Sequence, residues 1–443
     1  MILTGEQQNA YDAILRGESL FLTGPGGVGK SFLLKKVYED YTAKTGRRIA
    51  VTAMTGCAAN LLGTHAKTLH SWAGIGLGKG PTAALIERVR NFFPARKKWS
   101  QAGCLIIDEV SMMMPQLLDA LDLIGQAIRR NTKPFGGVQI VLVGDFYQLP
   151  PVAREEGVQF AFQAAVWGRA ITRTYELTTI LRQRDPAFHK ILSEARTGTV
   201  SAESLAVLEA RRHMSWKGHA VRPTMCFTKK ADVAAINERY MARLVGERQK
   251  YSAMTLPSKL PRMAVEKITD RMDRDYQYDT ELELVPGCQV MLLVNRNPEA
   301  GLVNGSRGVV TGFSANKWPL VKFLNGPPDP IEIEQHVWES DDATPVKRAQ
   351  VPLKIAYAIT IHKAQGASLD CALVDIGRAT FEYGQAYVAL SRVRSLEALY
   401  VYDLDPAAFR AHPLVREFYQ TTGGATPDER ITDYFAPLEI TDD

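Results

Sequence analysis

A glycine-rich run between two apolar segments offers the clearest chemistry in this chain. Residues 24–31 read GPGGVGKS, with the apolar run 20–23 before them and a run of helical spacing, 32–37, after them. Glycines between a strand and a helix leave backbone N–H groups and the positive end of the helix dipole facing an anion, so the pattern predicts a phosphate cradle. Lys30 is expected to reach the β- and γ-phosphates of a nucleotide, and the Ser31 hydroxyl to hold Mg²⁺. The loop residues expected to contact the nucleotide are Gly24, Gly26, Gly27, Val28, Gly29, Lys30 and Ser31.

Two acids and an amide follow other apolar runs. Asp108 and Glu109 come directly after the apolar run 104–107. Beside a phosphate cradle, Asp108 is expected to hold Mg²⁺ through water, and Glu109 to act as the general base that polarises the attacking water. A third predicted strand, 138–143, leads to Gln148, whose amide is placed to sense the γ-phosphate. A solvated loop glutamine is the alternative interpretation of Gln148.

These residues require strands and helices that alternate along the chain. Such alternation predicts an α/β fold with a parallel, doubly wound sheet and a ligand at the carboxyl ends of the strands. The composition agrees, since 46% of the 443 residues are hydrophobic and 23% are charged, which excludes disordered, collagen-like and coiled-coil chains. The five cysteines form no C-x-x-C pair, so buried, reduced thiols and no zinc site are expected.

Hydropathy and charge limit the classes of partner. No apolar stretch is long enough to cross a membrane, and the N-terminal residues lack the basic and apolar regions of a signal peptide. We therefore expect no membrane partner and no secretion. The net charge of +5 permits a nucleic-acid partner but does not by itself indicate one.

Three further segments differ from the rest of the chain. Residues 74–101 combine arginines and lysines with Phe92, Phe93 and Trp99, which suits a single-strand path or a strand-separating wedge. An amphipathic helix with a solvated basic face is the alternative. Residues 251–350 contain short β-rich runs between Asn-Gly and Gly turns, which predict hairpins and a small barrel. Residues 421–443 are polar and are expected to form a flexible tail.

Four runs resemble one known family. GPGGVGKS, IIDEVSM, KPFGGVQIVLVGDFYQLPPV and GQAYVALSRVRS are similar to the petite-integration-frequency (PIF-type) DNA helicases of helicase superfamily one, on its 5′-to-3′ branch. The resemblance implies two RecA-like P-loop NTPase lobes with parallel sheets, a small wedge insertion in the first lobe and an SH3-like β-barrel inserted in the second. The expected bounds are 1–172 for the first lobe with the wedge at 74–101, 173–250 plus 351–420 for the second lobe, and 251–350 for the barrel.

The resemblance also assigns roles to single residues. Gln7 is implied to read adenine, because its amide offers both a donor and an acceptor. Arg182 and Arg392 are implied to be arginine fingers of the second lobe that stabilise charge on the transferring phosphoryl group, and Gly366 to face the nucleotide. The residues implied to contact DNA are Thr55, Gly56, His70, Thr360, His362, Lys363 and Ser368. For Thr55 a capped helix start is the alternative.

The resemblance implies an ATP-dependent 5′-to-3′ DNA helicase that uses ATP and Mg²⁺. Its partners would be single-stranded DNA and forked or tailed duplex DNA, with G-quadruplex DNA as a further candidate. A monomer in a bacterial or viral setting, cytoplasmic or nucleoid-associated, is expected. The alternatives are a RecD- or phage-type helicase, a remodelling ATPase that does not unwind, and a nucleic-acid scaffold with an inactive P-loop. The loop departs from the family pattern at two positions, where the family usually has alanine and threonine and this chain has Gly26 and Val28. The side chain of Val28 cannot hydrogen-bond to a phosphate as a threonine hydroxyl could.

Overall fold

The chain divides into two compact units. The computed structural model describes residues 2–63, 65–76, 78–151, 157–183, 185–216, 221–276, 278–297, 299–340, 342 and 344–422. The first unit comprises the described residues of Met1–Met54, Thr68–Leu181 and Ala411–Asp443, and the second those of Thr55–Lys67 and Arg182–Arg410. Within the described residues no helix has both the length and the apolar character needed to cross a membrane.

The strands and helices of the first part of the chain alternate as the sequence pattern predicts. The strands are β1 (Leu20–Thr23), β2 (Arg48–Ala53), β3 (Lys67–Thr68), β4 (Ala102–Asp108), β5 (Gln139–Val143) and β6 (Arg173–Glu176). The helices are α1 (Gly5–Arg16), α2 (Lys30–Thr45), α3 (Gly56–Leu62), α4 (Leu69–Ala73), α5 (Thr82–Asn91), α6 (Phe93–Gln101), α7 (Pro115–Arg129) and α8 (Trp167–Ala170). Short 3₁₀ turns lie at Val110–Met112, Pro134–Gly137 and Ala161–Gln163.

The first unit is built on a six-stranded sheet in the order β3-β2-β4-β5-β1-β6. Strand β1 pairs in parallel with both β5 and β6, and β4 pairs in parallel with β2 and β5. Every residue of β1 and β5 is buried, as expected for parallel strands covered by helices on both faces. The predicted parallel α/β fold is confirmed.

The second unit contains a smaller parallel sheet and a large β-rich region. Its remaining helices are α9 (Pro186–Thr197), α10 (Ala202–Arg212), α11 (Lys230–Ala242), α12 (Arg262–Asp275), α13 (Ile361–Ala364) and α14 (Gln385–Leu390). Its strands are β7 (Thr224–Phe227), β8 (Gln249–Ser252), β9 (Met254–Thr255), β10 (Glu281–Leu284), β11 (Gln289–Leu292), β12 (Arg307–Phe313), β13 (Pro319–Phe323), β14 (Ile331–Glu332), β15 (His336–Glu339), β16 (Lys347–Gln350), β17 (Leu353–Ile355), β18 (Ala358–Thr360), β19 (Ala372–Ile376) and β20 (Leu399–Leu404). Strands β18, β7, β19 and β20 pair in parallel in that order, so the second unit is also of the parallel α/β kind.

The β-rich region forms three antiparallel sheets. The largest has the order β14-β13-β12-β11-β17, and the smaller ones are β15-β16-β9 and β10-β8. Val290, Val310 and Val321, each fully buried, lie in the apolar core of the largest sheet. The predicted hairpins are therefore present, whereas the SH3-like assignment of the whole segment stays a prediction.

Two expected domain boundaries differ from the structure. Strand β6 was expected in the second lobe, but it pairs with β1 and completes the edge of the first sheet. Residues 413–422 were expected in the second lobe and the tail, but they form helix α15 (Pro413–Thr422) of the first unit. An aromatic cluster explains the placement, because Phe418 stacks on Phe162 with ring centroids 4.3 Å apart. The remainder of the expected tail, 423–443, lies outside the described residues.

The basic and aromatic segment 74–101 forms the helix pair α5 and α6. Trp99 is fully buried, its ring lies 4.9 Å from that of Trp72, and its indole N–H donates to the carbonyl of Ala73. Trp99 is therefore a core residue, which corrects its grouping with aromatics that face DNA. Phe93 is 62% exposed and lies under the guanidinium of Arg96, 5.7 Å from its ring centroid. The wedge role of the segment stays a prediction, with Phe93 as its exposed aromatic.

Replacement of Trp99 by alanine should destabilise the first unit by about 3–5 kcal/mol, because it leaves a large cavity and an unpaired Ala73 carbonyl. Thermal unfolding followed by circular dichroism measures the loss. Phe93→Ala is the matched control, since an exposed aromatic should change stability by less than about 0.5 kcal/mol. Equal melting temperatures for both variants would contradict the assignment of Trp99 to the core.

Candidate functional site

The glycine-rich loop between β1 and α2 is shaped by glycine at two positions. Gly24 and Gly29 have φ values of 134° and 85°, in the region that disfavours any side chain. A Cβ atom at Gly24 would lie 2.2 Å from the carbonyl oxygen of Leu177, and one at Gly29 would lie 2.6 Å from Nε2 of Gln7. The loop therefore packs closely against the backbone that follows β6 at Gly24 and against the side chain of Gln7 at Gly29.

Lys30 and Ser31 open helix α2 at the end of this loop. The Nζ atom of Lys30 donates to the carbonyls of Gly24 at 2.6 Å and Pro25 at 3.0 Å, so the ammonium group lies over the loop. Gly29 has no side chain that could cap the helix, and the N-terminus of a helix is a common binding site for anions. Ser31 is exposed. The geometry suits an anion such as a phosphate.

Gln7 holds the loop from behind. Its Nε2 atom donates to the carbonyl of Val28 at 3.0 Å, and its Oε1 atom accepts from the backbone N–H of Thr4 at 3.1 Å. Because Gln7 is buried and both atoms of its amide contact the protein, the structure shows a loop support, and the adenine-reading role stays a prediction. Val28 is also buried, so its side chain packs in the core, where the family's usual threonine would place a hydroxyl.

Glu6 is a support that the sequence analysis missed. Its carboxylate accepts from the backbone N–H groups of Thr178 at 2.9 Å and Thr179 at 3.2 Å, which fixes the segment after β6. Burial would raise the pKa of Glu6, but the hydrogen bonds from Thr178 and Thr179 outweigh it and lower that pKa. The local signal at this point is the capping box of Thr4 and Gln7, which marks the start of α1. It does not indicate the contact of Glu6 with Thr178, which lies 172 residues away in sequence.

The expected catalytic acids lie together at the end of β4. Asp108 is 7% exposed, and its Oδ1 atom accepts the backbone N–H of Glu109 at 2.8 Å. Glu109 has a φ of 58° and a ψ of 41°, a left-handed conformation that is uncommon for a glutamate and is typical of functional sites. Burial and the neighbouring charge of Glu109 raise the pKa of Asp108 to about 7, against the opposing charge of Lys30. A divalent cation would relieve this repulsion.

The acid pair therefore fits the Mg²⁺ that the sequence implies. No group of three or more His, Cys, Asp or Glu side chains suited to a metal occurs in the described part of the chain. Mg²⁺ typically takes one or two protein carboxylates and completes its shell with phosphate and water oxygens. Asp108 and the Ser31 hydroxyl would be the protein ligands, directly or through water, and the ion would neutralise phosphate charge.

The strand register brings these groups to one edge of the sheet. Leu22 of β1 pairs with Val143 of β5, and Leu142 pairs with Ile107 of β4. The glycine-rich loop, Asp108 and the turn after β5 therefore start at the same carboxyl edge, where doubly wound sheets bind ligands. Gln148 lies in that turn, where it is buried and donates its backbone N–H to the carbonyl of Asp145 at 2.9 Å.

Within the second unit, the two expected arginine fingers lie in one electrostatic group. Burial and then the charges of Arg392 and Arg394 lower the pKa of Arg182 to about 10. Like charges held this close favour a bound anion. Arg394 was not singled out from the sequence, although it follows Arg392 by two positions.

Arg392 is also hydrogen-bonded inside its own unit. Its Nε atom donates to the carbonyl of Val388 at 2.7 Å, and Nη1 donates to the carbonyls of Ala364 and Ala367, each at 3.2 Å. The guanidinium is 2% exposed and joins helix α14 to the turn that contains Gly366. The structure thus shows Arg392 as a brace of this turn, and the finger roles of Arg182 and Arg392 stay predictions.

The residues expected to contact DNA fall into three places. Thr360 caps α13 by accepting the N–H of Lys363 at 3.3 Å, and His362 and Ser368 lie in the same segment of the second unit. Gly366, expected to face the nucleotide, lies between them in sequence. Thr55 caps α3 by accepting the N–H of Ala58 at 3.2 Å, with Gly56 as its first residue, so the capped helix start is present. A capping hydroxyl keeps its own proton, which can still be donated to a phosphate. His70 lies on α4 in the first unit.

Two further lysines join the segment around His362 and Lys363. Burial and then Lys230 lower the pKa of His362, while burial and then Lys354 lower that of Lys363. Lys354 is paired with Asp279 at 2.7 Å, whereas Lys230 is exposed at the start of α11. We call Lys230, Lys354, His362 and Lys363 the basic cluster. Lys230 is distant in sequence from the other three members, and no local pattern predicts its proximity to them.

Comparison with protein families and curated proteins places this geometry in a known context. Residues 2–204 match the family described as PIF1-like helicase, and residues 275–313 match the 2B domain of DNA helicase Pif1. The ATP-dependent DNA helicase PIF1 of Homo sapiens is 40% identical over 424 residues, which are 95% of this chain and 64% of the human protein. The protein of the same name from Emericella nidulans is 36% identical, over 94% of this chain and 62% of its own length. The chain thus spans less than two thirds of these relatives.

Several solved structures of Pif1 helicases are similar to this chain over nearly its whole length. The Pif1 helicase of Candida albicans is 34% identical, with a TM-score of 0.80 over 95% of this chain and 99% of its own. Pif1 from Bacteroides sp in complex with ADP-AlF4 is 31% identical, with a TM-score of 0.78 over 96% of this chain and 98% of its own. Bacteroides Pif1 bound to single-stranded DNA is 30% identical, with a TM-score of 0.66 over 95% and 97%.

These comparisons correct one expectation from the sequence. Both curated relatives named here are eukaryotic proteins, so the expected bacterial or viral setting, cytoplasmic or nucleoid-associated, is not supported. The expectation rested on the compact length of the chain. Length does not indicate the biological setting here, because only part of each relative's own length is matched.

Gly24→Ala should weaken nucleotide binding at least tenfold, because the new Cβ atom meets a backbone carbonyl at 2.2 Å and cannot be accommodated without moving the loop. Titration with a fluorescent ATP analogue measures the dissociation constant. Gly5→Ala is the matched control, since a Cβ atom there meets nothing within 4 Å. Undiminished binding by Gly24→Ala would show that the loop does not hold the phosphates.

Proposed function

Because this chain belongs to the PIF1-like helicase family, we propose that it is an ATP-dependent DNA helicase that moves 5′-to-3′ on single-stranded DNA and unwinds duplex DNA. One observation carries the proposal. A glycine loop with Lys30, the acid pair Asp108 and Glu109, and the turn of Gln148 start at one carboxyl edge of a parallel sheet, which is the set of groups that phosphoryl transfer needs. The direction of movement rests on family membership alone.

The roles in hydrolysis follow from the chemistry of each group. Lys30 neutralises the β- and γ-phosphates, and the backbone amides of the loop from Gly24 to Gly29, together with the α2 N-terminus, hold their oxygens. Glu109, which directly follows the last residue of β4, accepts a proton from the attacking water. Asp108 and Ser31 hold Mg²⁺ when it is bound. Gln148 senses the γ-phosphate.

The arginines of the second unit supply charge for the same reaction. Arg182, whose pKa is lowered by burial and by Arg392 and Arg394, belongs to a group of positive charges that a polyphosphate would stabilise. We assign Arg182 and Arg392 to the transferring phosphoryl group, with Arg394 as an exposed member of the same electrostatic group. Gly366 and its turn are braced by Arg392, so movement of this guanidinium toward an anion would pull on the segment that contains His362 and Ser368.

Single-stranded DNA is the proposed track. The Bacteroides relative has been solved with single-stranded DNA, and the basic cluster of the second unit suits a phosphate backbone. The proposed contacts are Thr55, Gly56, His70, Thr360, His362, Lys363 and Ser368. We add Lys230 and Lys354 to this proposal because they belong to the basic cluster. Forked or tailed duplexes are the proposed substrates for unwinding, and binding of G-quadruplex DNA and a monomeric state stay predictions.

An unwinding assay on tailed duplexes tests the proposal. The chain should separate a 5′-tailed duplex and leave a 3′-tailed one intact, with ATP and Mg²⁺ present.

Glu109→Gln should lower the DNA-stimulated kcat about 10²- to 10⁴-fold while ATP binding persists, because the general base is lost and the phosphate cradle is not. Glu39→Gln, a change at an exposed acid of α2, should leave kcat unaltered. If the unmodified chain separates neither duplex but still hydrolyses ATP, the result would favour the remodelling ATPase instead.

Lys230→Ala should weaken single-stranded DNA binding equally for all sequences and reduce the slope of log affinity against log salt by about 0.7, as expected for one lost phosphate contact. Fluorescence anisotropy at several salt concentrations measures both quantities. Lys317→Ala is the matched control, because Lys317 pairs with Glu247 at 2.9 Å in the β-rich region. An unchanged slope for Lys230→Ala would remove this lysine from the track.

A further inference from the structure

Helix α15 returns the last described residues of the chain to the nucleotide-binding edge of the first unit. Phe418 anchors it by stacking on Phe162 and packing edge-on against Phe146 at 5.5 Å. The next residue, Tyr419, projects beyond this apolar anchor toward the ends of β1 and β5. No role in the proposed reaction requires a residue from this helix, so the placement of Tyr419 calls for an explanation of its own.

The Tyr419 hydroxyl joins two loops that both serve the nucleotide. It lies 2.6 Å from Oγ1 of Thr23, the buried last residue of β1, directly before the glycine-rich loop. It accepts the backbone N–H of Phe146 at 3.1 Å and lies 3.4 Å from Oδ1 of the buried Asp145. A single oxygen thus bonds to the base of the phosphate cradle and to the turn of Gln148.

The ring of Tyr419 reinforces the second of these links. It stacks on the ring of Tyr147 with centroids 4.9 Å apart and planes 11° from parallel. Tyr147 directly precedes Gln148, and its backbone N–H donates to Asp145 at 3.2 Å. The turn between Asp145 and Gln148 is therefore held by the ring and the hydroxyl of one side chain, and Gln148 cannot shift relative to the cradle without changing these contacts.

We propose that Tyr419 is a positioning residue for ATP hydrolysis, which sets the position of the Gln148 turn relative to the phosphate cradle. The inference rests on the proposed ATPase function. Tyr419 touches neither nucleotide nor DNA in this proposal, and it acts through Thr23, the carboxylate of Asp145 and the backbone N–H of Phe146. Its loss should therefore slow the chemical step and leave ATP affinity nearly intact.

Tyr419→Phe isolates the hydroxyl, because the ring and its stack on Tyr147 remain. We expect the kcat of single-strand-stimulated ATP hydrolysis to fall about three- to tenfold, the loss typical of one hydrogen-bonded group, with KM for ATP within twofold of wild type. Tyr41→Phe is the matched control. Its hydroxyl donates to Gln139 at 2.7 Å, at the amino end of β5, so it should lower the melting temperature and leave kcat unchanged.

A double-mutant cycle with Thr23→Val separates positioning from stability. If the two hydroxyls act as one link, Thr23→Val should lower kcat by a similar factor, and the double variant should be no slower than the slower single one. Additive losses, or an unchanged kcat in Tyr419→Phe while the wild type is active, would overturn the inference alone. A wild type without single-strand-stimulated ATPase activity would overturn the proposed function and this inference together.

Discussion

The repulsion between Asp108 and Glu109 at a nearly dry sheet edge is the interaction on which the first unit depends. Two carboxylates adjacent in sequence, one buried and one in a left-handed backbone conformation, repel each other, and a nearby cation lowers the cost of that repulsion. Lys30 supplies one such charge. The glycine loop, its backing by Gln7 and the segment fixed by Glu6 keep that lysine and the phosphate-binding amides in place. In the proposed function, a nucleotide and Mg²⁺ bind at this edge.

The second unit holds positive charges close to one another, where the first unit holds negative ones. Arg182, Arg392 and Arg394 influence one another, and the basic cluster gathers Lys230, Lys354, His362 and Lys363. Arg392 belongs to the first group, and through the carbonyls of Ala364 and Ala367 it also holds the segment of the second. One guanidinium therefore connects the charges assigned to phosphate chemistry with those assigned to the DNA track.

Local patterns predicted much of this, and long-range contacts decided the rest. The strand, glycine loop and helix around Lys30 are contiguous, so their spacing alone indicated the cradle and the parallel sheet. Trp99 was misjudged because the composition of the segment is the same whether its tryptophan faces DNA or packs against Trp72. Gln7 and Thr55 matched motifs, but the structure engages Gln7 in loop support and Thr55 in helix capping. Tyr419 was not foreseeable, since its bond to Thr23 spans 396 residues and no periodicity reports it.

The return of α15 has a consequence for biosynthesis. The first unit is non-contiguous, and its aromatic cluster around Phe146, Phe162 and Phe418 closes only after residue 418 has been made. During translation, a nascent chain ending at Leu181 would present Phe146 and Phe162 with one side uncovered while the whole second unit is still being synthesised. The cluster cannot close during this interval, and apolar surface exposed in this way favours aggregation and chaperone binding.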